Sequence, residues 1–170
     1  MHQSYFQMFA AYNEWANTLL YDACEPLSDE ARKKDRNSFF GSIHNTLNHL
    51  IVGDRVWMQR FTASGKTYQK LDQAPFEDWA ALRAERNAED ARIISYVGAL
   101  DDATLQGTFI YTPITTPETV EQVLEPALAH FFNHQTHHRG QVHCMLNQAG
   151  ISPPALDILY YQHEMAAKGA

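Results

Sequence analysis

Apolar side chains return at three- and four-residue steps along most of this chain, and that spacing constrains its fold more than any other feature. Phe6, Phe9, Tyr12, Ala16, Leu19, Leu20 and Ala23 mark one face of a first helix. It stops near Glu25-Pro26, because proline excludes the helical conformation at the residue before it. A second helix fits Ser38 to about Thr62, with Ile43, Leu47, Leu50, Asp54, Trp57 and Phe61 along one side. Ala63-Ser64-Gly65 ends it. A third helix is expected to start at Pro75 and to run through Trp79, Leu82, Ile93, Ile94 and Val97 to Leu100. The fourth carries Leu128 through Leu146 and ends at Ala149-Gly150. Its start stays open between Thr116-Pro117-Glu118 and Pro126. Thr108 to Thr112 is β-branched and aromatic, but one short strand makes no sheet, so this stretch is expected as loop with room for a local strand.

Four long amphipathic helices with little strand predict an all-α protein, a helical bundle. No repeat or low-complexity linker divides it, so residues 1–170 are read as a single domain of ordinary size. After Pro153-Pro154 the tail holds Leu156, Ile158, Leu159, Tyr160 and Tyr161, too apolar to be left in water. A short terminal helix docked on the bundle, or on a partner subunit, is expected there.

Composition narrows the function classes. The chain is 45% hydrophobic and 19% charged, which excludes a mainly disordered protein. No apolar run approaches the roughly 20 residues of a membrane span. The residues after Met1 carry no export signal, so the expected location is the cytoplasm, with no membrane partner. Cys24 and Cys144 are far apart and form no C-x-x-C motif; two buried reduced thiols are expected. Thirteen Lys plus Arg stand against 20 Asp plus Glu, for a formal charge of −7, which disfavours nucleic acid as a partner. The short basic run Arg32-Lys33-Lys34-Asp35-Arg36 reads as a solvated loop.

Histidine is the unusual residue. There are nine, and five fall between His130 and His143. On a helix, residues four apart share a face one turn apart, the spacing by which two imidazoles hold one metal. His130 with His134, and His134 with His138, have that spacing. With His134 at zero, the helix's apolar stripe centres at about +70° and His138 lies inside it at about +40°. His130 and His137 fall outside at about −40° and −60°, and His143 is on the opposite face. The inward pair is therefore His134 and His138. Burying two unpaired imidazoles is costly unless something satisfies them, and a divalent ion does. A third ligand is needed. His44, His49, His2 and His163 are candidates, and the wheel does not choose between His44 and His49, which flank the second helix's apolar stripe.

These segments carry a further signal. Tyr12-Asn13-Glu14-Trp15-Ala16-Asn17, Leu47-Asn48-His49-Leu50 with Asp54-Arg55-Val56-Trp57, His134 to Gln141 read as H-x-x-x-H-R-G-Q, and Pro153 to Tyr161 occur in order. Together they resemble the DinB-like (damage-inducible) family of metal-binding four-helix bundles, unrelated to the DNA polymerase of that name. The resemblance runs nearly end to end. It implies a three-histidine site of His49, His134 and His138. Imidazole ligands make the expected divalent ion zinc or nickel first and iron or manganese next. The resemblance implies a homodimer, because related bundles commonly pair. Relatives of this bundle include thiol-dependent transferases and an isomerase, which implies a small thiol or metal-bound water acting on a small electrophile. The competing class is a non-catalytic, stress-related metal-binding dimer. Tyr12, Asn13 and Trp15 are read as packing groups and supports for the ligands rather than catalysts. Gly140 costs its helix stability, and close packing against a neighbouring helix or the tail would explain it.

Overall fold

The computed structural model describes residues 2–169, with side chains from Gln3 onward. Four long helices dominate it: α1 (His2–Cys24), α3 (Ile43–Thr62), α4 (Trp79–Gly98) and α6 (Leu124–Gln148). Short α2 (Asp29–Lys33) and α5 (Asp102–Gln106) lie in the connections, and α7 (Ile158–Lys168) closes the chain. A two-stranded antiparallel ribbon, β1 (Thr108–Tyr111) and β2 (Val120–Val123), precedes α6 and is the one sheet among the described residues. The fold is an all-α bundle, and no described helix is long and apolar enough to cross a membrane.

Helix starts are set by side-chain caps. Ser42 accepts from the Asn45 amide and caps α3, which therefore starts at Ile43 and not at Ser38. Asp78 accepts from the Ala81 amide and starts α4, so Pro75 lies in the loop before it and not at its first turn. Ala63, in the left-handed conformation, ends α3 where expected. The local strand allowed for within 101–116 is present, and it has the partner that was not expected: Thr108 pairs with Val123 and Tyr111 with Val120. The second strand was hidden because Val120-Glu121-Gln122-Val123 suits a helix start equally well until a partner strand is present. Pro126 sits within the first turn of α6, where its missing amide hydrogen leaves no helical bond unmade.

Two apolar layers fill the bundle's ends. One joins Leu20, Tyr21, Ile43, Leu47, Leu82, Val142 and Leu146; the other joins Phe6, Ala10, Met58, Ile93, Val97, Leu128 and Phe131. Membership in these layers fixes direction: α1 and α6 run one way, α3 and α4 the other. Helices α3 and α4 are neighbours running in parallel, so the connection 63–78 must travel back the length of a 20-residue helix. That long return lays Leu71 over the face shared by α3 and α6.

Between the apolar layers lies a polar one, to which each long helix contributes. Arg86 on α4 pairs with Asp54 on α3 at 2.5 Å and with Asp90 at 2.9 Å. Asp90 accepts from Asn13 and Asn17 on α1, whose carbonyls in turn accept from Arg139 on α6. Gln135 on α6 donates to Asp54. All of these side chains are buried. Two carboxylates and two guanidinium groups balance there, the condition under which burial of charge is tolerated.

Other expectations are revised by burial. Arg32 is not solvated: it lies 4.5 Å over the Trp79 ring and donates to the Cys24 and Leu27 carbonyls. Cys24 is buried as expected, but Cys144 is exposed; both are free. A Cβ at Gly140 would meet nothing within 4 Å, so close packing does not explain that glycine. The tail helix docks on the bundle through Tyr161 against Tyr12 and Ala16, while Leu159 and Tyr160 stay exposed.

Candidate metal centre

His49 comes from the inner face of α3, and His134 and His138 from successive turns of α6. Because these helices are antiparallel neighbours, one imidazole from α3 meets two from α6. The facing ring nitrogens, one from each histidine, all lie within 4.8 Å of one another. His49 Nε2 stands 3.2 Å from His134 Nε2. Two nitrogens at about 2.0–2.1 Å from one tetrahedral zinc are themselves about 3.3–3.4 Å apart, so this spacing fits a shared ion.

The outer nitrogens are held by the protein. His49 Nδ1–H donates to the Leu71 carbonyl at 2.8 Å, and His138 Nδ1–H donates to Gln141 Oε1 at 2.8 Å. Each bond places the proton on Nδ1 and turns the Nε2 lone pair inward, the tautomer a metal requires. Phe40 stacks on His49 with centroids 4.0 Å apart and fixes the ring plane. A Cβ at Gly53 would stand 3.0 Å from His134 Cε1, so the absence of a side chain there admits that ring.

Electrostatics keep the imidazoles neutral. Burial, reinforced by His138, His49 and other histidines, pushes His134 down to about 3. Burial, then the partner histidines, pushes His138 down to about 4 against the opposing bond from Gln141. His49 is also lowered by burial, partly offset by the Leu71 carbonyl. Near neutral pH all three present lone pairs, and three neutral donors suit a borderline-soft divalent ion.

Two cavities open beside the cluster and share His49, His134, Leu71, Ile114 and Thr115 as walls. One, of about 310 Å³, is also lined by Trp57, Arg60, Tyr111 and His130. The other, of about 530 Å³, reaches Phe39, Phe40, Lys70 and Asp72.

The remaining histidines do not join the cluster. His130 packs at a tilt against Trp57 with ring centroids 5.1 Å apart, His137 is exposed, and His143 faces the opposite side of α6. His44 is buried elsewhere on α3, His163 is exposed on α7, and the side chain of His2 lies outside the described residues. Tyr12 and Trp15 bind the tail, through the Leu156 carbonyl and Glu164, and Asn13 belongs to the polar layer. They pack the bundle; the groups that touch the imidazoles are Phe40, Leu71 and Gln141. Gln141 was findable from its position three residues after His138. Phe40 and Leu71 lie in irregular segments whose path no periodicity reports.

The DinB family model matches residues 1–169. The chain belongs to the DinB family. It is 27% identical over 155 residues to protein DinB of Bacillus subtilis (strain 168), covering 88% of this chain and 89% of that relative. Within this DinB-family bundle, the three-histidine cluster is compatible with metal binding.

Proposed function

We propose that the protein binds one divalent ion per chain through His49, His134 and His138, and uses it on a small electrophile with a low-molecular-weight thiol or water. The convergence of three neutral imidazole nitrogens within 4.8 Å, two with their outer nitrogens already bonded, carries this reading. A divalent ion held there supplies an open, Lewis-acidic position that lowers the pKa of a coordinating thiol or water. The protein's own part is to orient the rings through Phe40, Leu71 and Gln141, and to present two cavities for the reacting partners. Imidazole suits zinc and nickel first, then iron; manganese remains in the set to be assayed.

Metal analysis of tag-free protein incubated with each of these ions is the test. His134→Ala and His138→Ala should abolish tight binding and His49→Ala should weaken it severely, with stoichiometry unchanged in His130→Ala, His137→Ala and His143→Ala. Protein that stays metal-free with every ion defeats the proposal. One observation favours a second reading, a non-catalytic, stress-related metal-binding protein: the smaller cavity has no carboxylate to act as acid or base, and the larger one has Asp72 alone. Thiol-dependent turnover across a panel of electrophiles separates the two.

A further inference from the structure

Arg60, near the end of α3, breaks a pattern. Every other arginine of α3 and α4 is paired with a carboxylate: Arg55 with Glu85 and Glu89, Arg83 with Asp22 and Glu25, Arg86 with Asp54 and Asp90, Arg92 with Glu89. Arg60 has no such partner among the described residues. Its guanidinium is clamped between two rings, 4.6 Å from the Trp57 centroid and 4.5 Å from that of Tyr111. Those contacts hold its position, and its N–H donors make no hydrogen bond among the described residues, although Arg60 lines a cavity. It is half-buried, and desolvation works against its charge with no anion of the protein to compensate.

The cavity it faces is the smaller one beside the histidines. Arg60, Trp57, His130 and His134 line the same wall, and ring contacts of 5.1 Å (Trp57 to His130) and 6.1 Å (His130 to His134) lead from the guanidinium to the cluster. Its lining contains no Asp or Glu, so Arg60 is its one formally charged side chain. Three neutral imidazoles would leave the charge of a bound divalent ion uncompensated as well. An ion at the histidines would put a second positive centre beside Arg60 on a cavity whose lining holds no anion, and the occupant is then defined by charge.

We propose that this cavity binds a small organic anion, its carboxylate paired with Arg60 and its donor end directed at the three histidines. The proposal rests on the metal-binding reading for the donor end and on Arg60 alone for the carboxylate end. A planar guanidinium held on edge-accessible rings is suited to bidentate carboxylate recognition. A cavity of about 310 Å³ limits the ligand to a small molecule.

The probes are mercaptopropionate and mercaptopropanol, which differ in the terminal charge. Cobalt(II)-loaded protein is titrated with each, following the thiolate-to-cobalt absorption, and metal-free protein is titrated with each by calorimetry. Wild type should bind mercaptopropionate at least about tenfold more tightly, the size of one charge-assisted hydrogen bond. Arg60→Met should erase that preference and leave mercaptopropanol binding and cobalt stoichiometry unchanged; Arg60→Gln serves if Arg60→Met misfolds, and Arg60→Lys should restore part of the preference. Equal affinity for the two thiols in wild type, or a preference that survives Arg60→Met, overturns the proposal. If the protein takes up no cobalt, the metal reading fails by itself and the metal-free titration decides: an Arg60-dependent preference for the carboxylate upholds the anion site, and its absence overturns it.

Discussion

A methyl group at position 53 would stand 3.0 Å from Cε1 of His134, closer than carbon atoms normally settle. Gly53→Ala must therefore turn or shift that ring, while Asp54 and Gln135 hold α3 and α6 in place beside it. Metal affinity should fall about tenfold or more, the effect of displacing one ligand by a few tenths of an ångström at roughly 1.4 kcal/mol per decade. Competition with a chromophoric chelator measures the loss, and unchanged circular dichroism shows that the fold is kept. Affinity equal to wild type would mean that the ring has room the geometry denies. The same histidines set an acid limit on the metal-free protein. Above their ordinary value of 6.5 both folded and unfolded chains carry them neutral. Below it the unfolded chain takes up protons that His134, held at about 3, and His138, held at about 4, refuse. Stability therefore falls as pH drops from about 6.5 towards 4. Melting temperatures of metal-free wild type should decline over that window, and those of the His134→Ala, His138→Ala double variant should decline less; parallel curves contradict the assignment.

At the level of elements, α6 carries a residue that its packing does not require. Gly140 is exposed mid-helix, and a Cβ there meets nothing. Gly140→Ala should stabilise the protein by up to about 1 kcal/mol through the lower backbone entropy cost of alanine. Urea unfolding checks it; destabilisation would contradict the open space beside Gly140. Helix stops were readable where one residue settles the backbone, as Pro26 and the Ala63-Ser64-Gly65 stretch do. Starts were less so, because a cap at Ser42 or Asp78 is decided by which of several polar residues finds a free amide. The strand Val120–Val123 was invisible for a different reason: its ladder exists only once Thr108–Tyr111 lies beside it.

For the whole molecule, we propose a homodimer. Docking of α7 accounts for Tyr161, but Leu159 remains 53% and Tyr160 51% exposed, an apolar surface in search of a partner. Light scattering at micromolar concentration should give twice the chain mass of 19.4 kDa, and Leu159→Lys should shift it towards the monomer; a monomer mass for wild type removes the proposal.

Apolar spacing alone was enough to specify the four long helices, because a helix that buries one face must repeat its apolar residues every three or four positions. It also singled out His134 and His138, since both lie on one helix and their common face follows from turn geometry. His49 was beyond that reasoning. It and His44 lie on flanks of the same apolar stripe, and what separates them is which one meets α6, a contact between residues 85 positions apart. The polar layer was equally hidden: one helix taken by itself says nothing of the partners of Asn13, Asp54, Arg86 and Arg139, which become buried partners only when four helices meet at one height. The isolation of Arg60 belongs to the same class. Local sequence determines the phase of a helix, but the counter-charge a side chain finds, or lacks, is decided by the packing of distant segments.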